Sequence, residues 1–150
     1  MSAALSTGHV GLNVTDLARS IAFYQQALGL DVVSEGRDGD REWAFLGQDG
    51  TLLITLWRQS AGRFDGEHPG LHHLAFQVET LAEVRAVQRK LRELGAEFHY
   101  DGVVPHEEGA ASGGVFFTDP DGIRLEVCTG AGVADEQPAP VGAAPACGFF

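Results

Sequence analysis

The sequence is poor in cysteine, in positive charge and in long apolar runs, and each shortage excludes something. Two cysteines, Cys128 and Cys147, occur in 150 residues. They are too few for a disulfide framework, so a reducing, cytoplasmic setting is expected. Ten Lys and Arg stand against 21 Asp and Glu, for a net charge of −11. An acidic surface repels phosphate backbones and anionic lipid, which argues against nucleic-acid and membrane partners. Apolar runs such as Leu52 to Trp57 fall far short of the ~20 residues of a membrane-spanning helix. Met1 to Thr7 lack a basic region leading into an apolar stretch, so no secretory leader is expected and the chain is expected to start near Met1. What is present is a globular composition, 44% hydrophobic, with 20 Gly and 6 Pro that punctuate it with turns.

The two halves of the sequence match. His9-Val10-Gly11-Leu12-Asn13-Val14 lies over His73-Leu74-Ala75-Phe76-Gln77-Val78, each followed by a turn pair and then Leu-Ala (Leu17-Ala18, Leu81-Ala82). Both hexapeptides alternate as strands do, with Val10, Leu12 and Val14 on one face and His9, Gly11 and Asn13 on the other. Apolar residues then recur at helical spacing, Leu17, Ile21, Tyr24 and Leu28 in one half and Leu81, Val84, Val87, Leu91 and Leu94 in the other. Thr15 or Asp16, and Thr80, serve as N-caps, and Gly29 and Gly95 as C-terminal stops. Three extended segments follow each helix: about 31–35, 41–46 and 51–58, then 97–104, 113–118 and 123–129. Asp38-Gly39, Asp49-Gly50 and Asp119-Pro120-Asp121-Gly122 supply the turns.

The expected architecture is therefore α+β, with a βαβββ module present twice. One domain is expected over residues 1–130, with module one at about 8–58, a linker at 59–70 and module two at about 71–129. Residues 131–150 read as a Gly/Ala/Pro-rich tail without its own core, whose Phe149-Phe150 end could dock on an apolar surface.

His9 and His73 occupy matched positions, and symmetry singles them out where a lone histidine would read as structural. Glu126 lies in Ile123-Arg124-Leu125-Glu126-Val127-Cys128, where Arg124, Glu126 and Cys128 share a face, so it is either a solvated charge or an inward ligand. Matching the last strands of the two modules puts Thr55 opposite Glu126; matching their Asp-Gly turns puts Ile54 there. Trp57, with Trp43 and Phe45 nearby, either walls a cleft or packs in the core. His72 is expected on the strand face away from His73.

His9 followed by Val14-Thr15-Asp16-Leu17 and Phe23-Tyr24, then His73-Leu74-Ala75-Phe76-Gln77-Val78, then Asp119-Pro120-Asp121-Gly122 leading to Glu126, resembles the vicinal oxygen chelate superfamily. That superfamily includes glyoxalase I, extradiol dioxygenases, fosfomycin-resistance proteins, methylmalonyl-CoA epimerase and bleomycin-binding proteins. The resemblance runs from about Gly8 to Thr129. It implies two modules forming a cupped, partly open mixed-sheet barrel with helices outside, a homodimer, and metal ligands His9, His73 and Glu126, with Thr55 in the fourth place. Two histidines and one carboxylate with open positions suit Fe(II) or Mn(II), and also accommodate Zn(II) or Ni(II), acting on a small oxygen-chelating substrate.

Asn13, Thr55, Trp57, Gln77 and Phe116 are the expected cleft residues, Asn13 and Gln77 as hydrogen-bonding groups. Glyoxalase and epimerase chemistry requires a further carboxylate where Thr55 stands. Fosfomycin-type thiol transferases carry threonine where this chain has Gly11. Extradiol dioxygenases share the two-His, one-Glu set and an upstream histidine, near whose place His106 stands one residue beyond the usual gap, although Phe116 replaces their tyrosine. The expectation is thus a dioxygenase- or lyase-like metal enzyme with His106 as a catalytic group; the alternatives are a non-enzymatic drug-binding protein and a thiol transferase.

Overall fold

The structure, a computed structural model, describes residues 1–138. The expected docking of Phe149-Phe150 lies outside the described residues. The chain divides into two compact units, the first ending at Gly62 and the second beginning at Arg63, a division within the 59–70 segment.

The first unit runs β1 (Val10–Val14), α1 (Leu17–Leu28), β2 (Asp31–Asp38), β3 (Arg41–Gln48) and β4 (Thr51–Arg58). Its sheet has the order β1-β4-β3-β2, with β1 parallel to β4 and the other pairs antiparallel. The second unit repeats the plan with β5 (Leu74–Val78), α2 (Leu81–Glu93), β6 (Val104–Pro105), β7 (Gly113–Thr118) and β8 (Arg124–Thr129), ordered β5-β8-β7-β6. The protein is α+β; its described residues form two mixed four-stranded sheets, and strand pairing among them closes neither into a barrel.

Alternation decides which face each helix covers. Leu12 and Val14 of β1 are buried while Gly11 and Asn13 are exposed. Leu46 pairs with Ile54 in the first sheet and Phe117 with Leu125 in the second, and all four side chains are fully buried. Asp16 caps α1 by accepting the Arg19 N–H at 3.0 Å, and Gly29, at φ +66°, ends the helix in the left-handed conformation a side chain would resist. Thr80 and Glu83 form a reciprocal capping box on α2, Glu83 N–H to Thr80 Oγ1 at 3.2 Å and Thr80 N–H to Glu83 Oε2 at 2.9 Å. Thr80→Ala is expected to lower the unfolding free energy by about 1 kcal/mol. Urea titration checks this, and Thr80→Ser should recover most of the loss.

The segment expected as a strand over 97–104 is interrupted. Phe98 bridges Phe117, and the His99 N–H reaches the Phe116 carbonyl at 2.9 Å. The chain then turns at Tyr100-Asp101-Gly102, with Gly102 at φ +124°, and pairing resumes for two residues at β6. Asp-Gly turn chemistry lifts the backbone off the sheet, and Pro105 has no N–H with which to extend the ladder. Beyond β8 the chain is held to the second unit: Val133 is buried, its N–H on the Ala111 carbonyl at 3.0 Å, and Glu136 pairs with Arg85.

Candidate metal centre in the second unit

Glu126 is placed by the sheet. It sits in β8 in register with Ala75 of parallel β5 and Phe116 of antiparallel β7, and it is only 2% exposed. His73 immediately precedes β5, and its Nε2 lies 3.3 Å from Glu126 Oε2. His106 follows β6 on a loop closed by its own N–H on the Ser112 carbonyl at 2.9 Å. Its Nε2 lies 2.5 Å from Glu126 Oε1, and its Nδ1 contacts Ser112 Oγ at 2.9 Å. Each oxygen of a buried carboxylate thus faces an imidazole nitrogen.

The two histidines respond oppositely to the same carboxylate. Burial pulls the His73 pKa below its ordinary value, and the attraction of Glu126 offsets only part of this. The short hydrogen bond to Glu126 holds His106 above its ordinary value against the cost of its burial. The difference follows the distances, 3.3 Å against 2.5 Å. Relative to an ordinary imidazole, His73 is therefore biased toward the neutral form that metals bind, and His106 toward the protonated form.

Strand alternation also brings Cys128, two residues on, to this face; it is the residue that sequence reasoning left out of the site. Ligand atoms of His106, Glu126 and Cys128 lie within 4.8 Å of one another. Burial first, then the Glu126 charge, pushes the Cys128 thiol up to about 11, so it is protonated at neutral pH. His72 corrects its expectation. Its Nδ1 is 2.8 Å from His73 Nδ1, and the rings meet edge to face. β5 begins only at Leu74, so the period of two that would part His72 from His73 does not yet apply. This contact engages one nitrogen of His73 and leaves Nε2 directed at Glu126.

The remaining expected residues divide between the units. Phe116 is buried beside Glu126, its cross-strand partner, with its ring against Tyr100 and His106. Gln77 is exposed on β5, in register with Cys128. In the first unit His9 is exposed immediately before β1, as His73 precedes β5. Asn13 Oδ1 accepts from Gln59 Nε2 at 3.1 Å. Register resolves the two matches left open for the last strands: Gly11 pairs with Thr55 as Ala75 pairs with Glu126, so Thr55 and not Ile54 is the equivalent position. Thr55 is buried and its Oγ1 accepts the Trp57 Nε1–H at 2.8 Å.

A buried carboxylate is costly unless a cation or several donors satisfy it. The donors here, a Glu126 carboxylate oxygen with the His73 imidazole beside it, are of a kind a divalent metal fits.

Two βαβββ units, each pairing its first strand in parallel with its last, define a duplicated-module α+β protein. A family model described as Glyoxalase/Bleomycin resistance protein/Dioxygenase superfamily matches residues 6–127, and the chain belongs to that superfamily. The trivalent organoarsenical cleaving enzyme of Bacillus sp. (strain MD1) is 34% identical over 118 residues, covering 79% of this chain and 69% of that protein. Lactoylglutathione lyase of Salmonella typhimurium is 33% identical over 130 residues, covering 79% and 88%. The crystal structure of a glyoxylase/bleomycin resistance protein/dioxygenase domain from Frankia sp. EAN1pec superimposes with a TM-score of 0.73 at 30% identity, covering 85% of this chain and 99% of that one. No helix among the described residues is long and apolar enough to cross a membrane.

Proposed function

We propose that the protein is a divalent-metal-dependent enzyme acting on a small substrate with adjacent oxygens, of the extradiol-dioxygenase or lyase kind, in which His9, His73 and Glu126 hold the metal. One observation carries the reading: a carboxylate only 2% exposed, with an imidazole nitrogen at each oxygen. Fe(II) or Mn(II) is favoured by two histidines and one carboxylate, and Zn(II) or Ni(II) also suits them. Bound there, a divalent cation supplies Lewis-acid polarisation and a template for the substrate oxygens. His106, steadied by Ser112 and with its pKa raised by the hydrogen bond to Glu126, is assigned the acid–base role. Thr55 is no such group: its hydroxyl is engaged by Trp57, so proton abstraction at that position lacks a base.

Mass spectrometry of metal after anaerobic purification tests the reading. Near-stoichiometric Fe or Mn is expected in the wild type, and His9→Ala and His73→Ala should each lower metal affinity by at least about tenfold. Catechols are the first substrates to assay. A wild type that is isolated metal-free and takes up none of Fe, Mn, Zn or Ni overturns the proposal in favour of a non-enzymatic binder. Homodimer formation belongs to the same reading, with light scattering at twice the chain mass as its check.

A further inference from the structure

We propose that the first unit carries a stacking site for one planar aromatic ring, built on Trp43 and Trp57. Across its sheet, Gly36 of β2 pairs with Trp43 of β3, Trp43 with Trp57 of β4, and Trp57 with Asn13 of β1, so these positions form one row on one face. The two indoles are near-parallel, centroids 6.5 Å apart at 28°, and Phe45 adds a tilted ring 5.8 Å from Trp57.

The neighbouring strands are shaped to receive the indoles. A Cβ at Gly36 would overlap the six-membered ring of Trp43, and one at Gly11 would stand 3.3 Å from Thr55 Oγ1 and 3.5 Å from Trp57 Nε1. Glycine at both positions lets each ring lie over the adjacent strand. The position equivalent to Glu126 serves the same purpose: the Thr55 hydroxyl takes the one polar hydrogen of Trp57 and fixes the ring in its plane. Trp57 nevertheless remains 38% exposed, with its polar atom satisfied and its apolar face available.

The cavity beside the indoles has a volume of about 220 Å³ and a rim of Asp38, Arg41, Glu42, Arg58 and Gln59. The rim charges are matched among themselves, Arg58 to Glu42 at 2.9 Å and Arg41 to Asp38 at 2.6 Å. A balanced rim favours an uncharged guest. A cavity of roughly 150 Å³ accommodates benzene, so this one suits a substituted or fused aromatic ring. As a statement about substrate class the inference rests on the metal-enzyme reading, whereas ring binding itself requires no metal.

The chain has two tryptophans, both in this site, so intrinsic fluorescence reports on it directly. The probe is 2-naphthol, a flat neutral ring without adjacent oxygens, and the control is cyclohexanol, apolar but without a π face. Saturable quenching by 2-naphthol and none by cyclohexanol is expected, with calorimetry giving the same affinity in the wild type and in metal-free Glu126→Gln. Trp57→Leu and Thr55→Val should each weaken binding roughly tenfold, with Thr55→Ser retaining it. Melting curves identify any variant that fails to fold, and Trp43→Leu, read through Trp57, then takes its place. Absence of saturable quenching, or unchanged affinity in Trp57→Leu, overturns the proposal. So does emission that shifts with protein concentration alone, which would assign the face to a second copy of the chain. Ring binding without metal uptake would sink the metal reading and leave this one intact; metal uptake without ring binding would do the reverse.

Discussion

Glu126→Gln is expected to abolish divalent-metal binding while leaving the fold unchanged. The amide matches the carboxylate in volume and still bonds both imidazoles, but it removes the one buried negative charge of the cluster and is a poorer ligand for Fe(II) or Mn(II). A ligand that binds only the folded state at a hundredfold excess over its Kd stabilises it by about 2.7 kcal/mol. For a chain of this size that raises Tm by about 5–10 °C. Differential scanning calorimetry with and without Mn(II) should therefore show an upward shift in the wild type and none in the variant, with matching Tm values for the two metal-free proteins. A variant that keeps its metal, or melts higher when Mn(II) is added, would remove Glu126 from the ligand set.

His106→Gln is expected to separate chemistry from metal binding. The ring is oriented from both ends, by Ser112 at Nδ1 and Glu126 at Nε2, and the hydrogen bond to Glu126 keeps its proton in place. A positioned acid–base group contributes about 10²- to 10⁴-fold, so kcat should fall by that factor on an active catechol while metal content stays at the wild-type level. Ser112→Ala, which loosens the ring without removing it, should show a smaller loss. Metal lost together with activity would make His106 a ligand instead, since it shares a cluster with Glu126 and Cys128. Unchanged turnover would remove it from the reaction.

Much of the framework was legible in the sequence because its signals are periodic and local. The alternation of Val10, Leu12 and Val14, the helical spacing of Leu81, Val84 and Leu91, and the caps Asp16, Thr80 and Gly29 each act within a few residues, and the structure forms them as read. The matched halves gave away the duplicated module, since each half must bury the same kind of face. Sequence patterning was weaker where backbone direction changes. The Tyr100-Gly102 turn breaks the strand expected over 97–104, and His72 turns toward His73 because it lies before the strand whose alternation would have separated them.

Residue type and spacing determined by themselves that this is a duplicated βαβββ protein and that His73 and Glu126 fall in the first and last extended segments of its second module. Only the tertiary structure decided what those groups meet. A loop closed by Ser112 carries His106 onto Glu126 from 20 residues away, and inter-strand register, not turn spacing, makes Thr55 the equivalent of Glu126. Cys128 joins the cluster, and the Thr55 hydroxyl turns to an indole. Periodicity records which face a side chain occupies, but partners distant in the chain are selected by register and loop path, which packing alone sets.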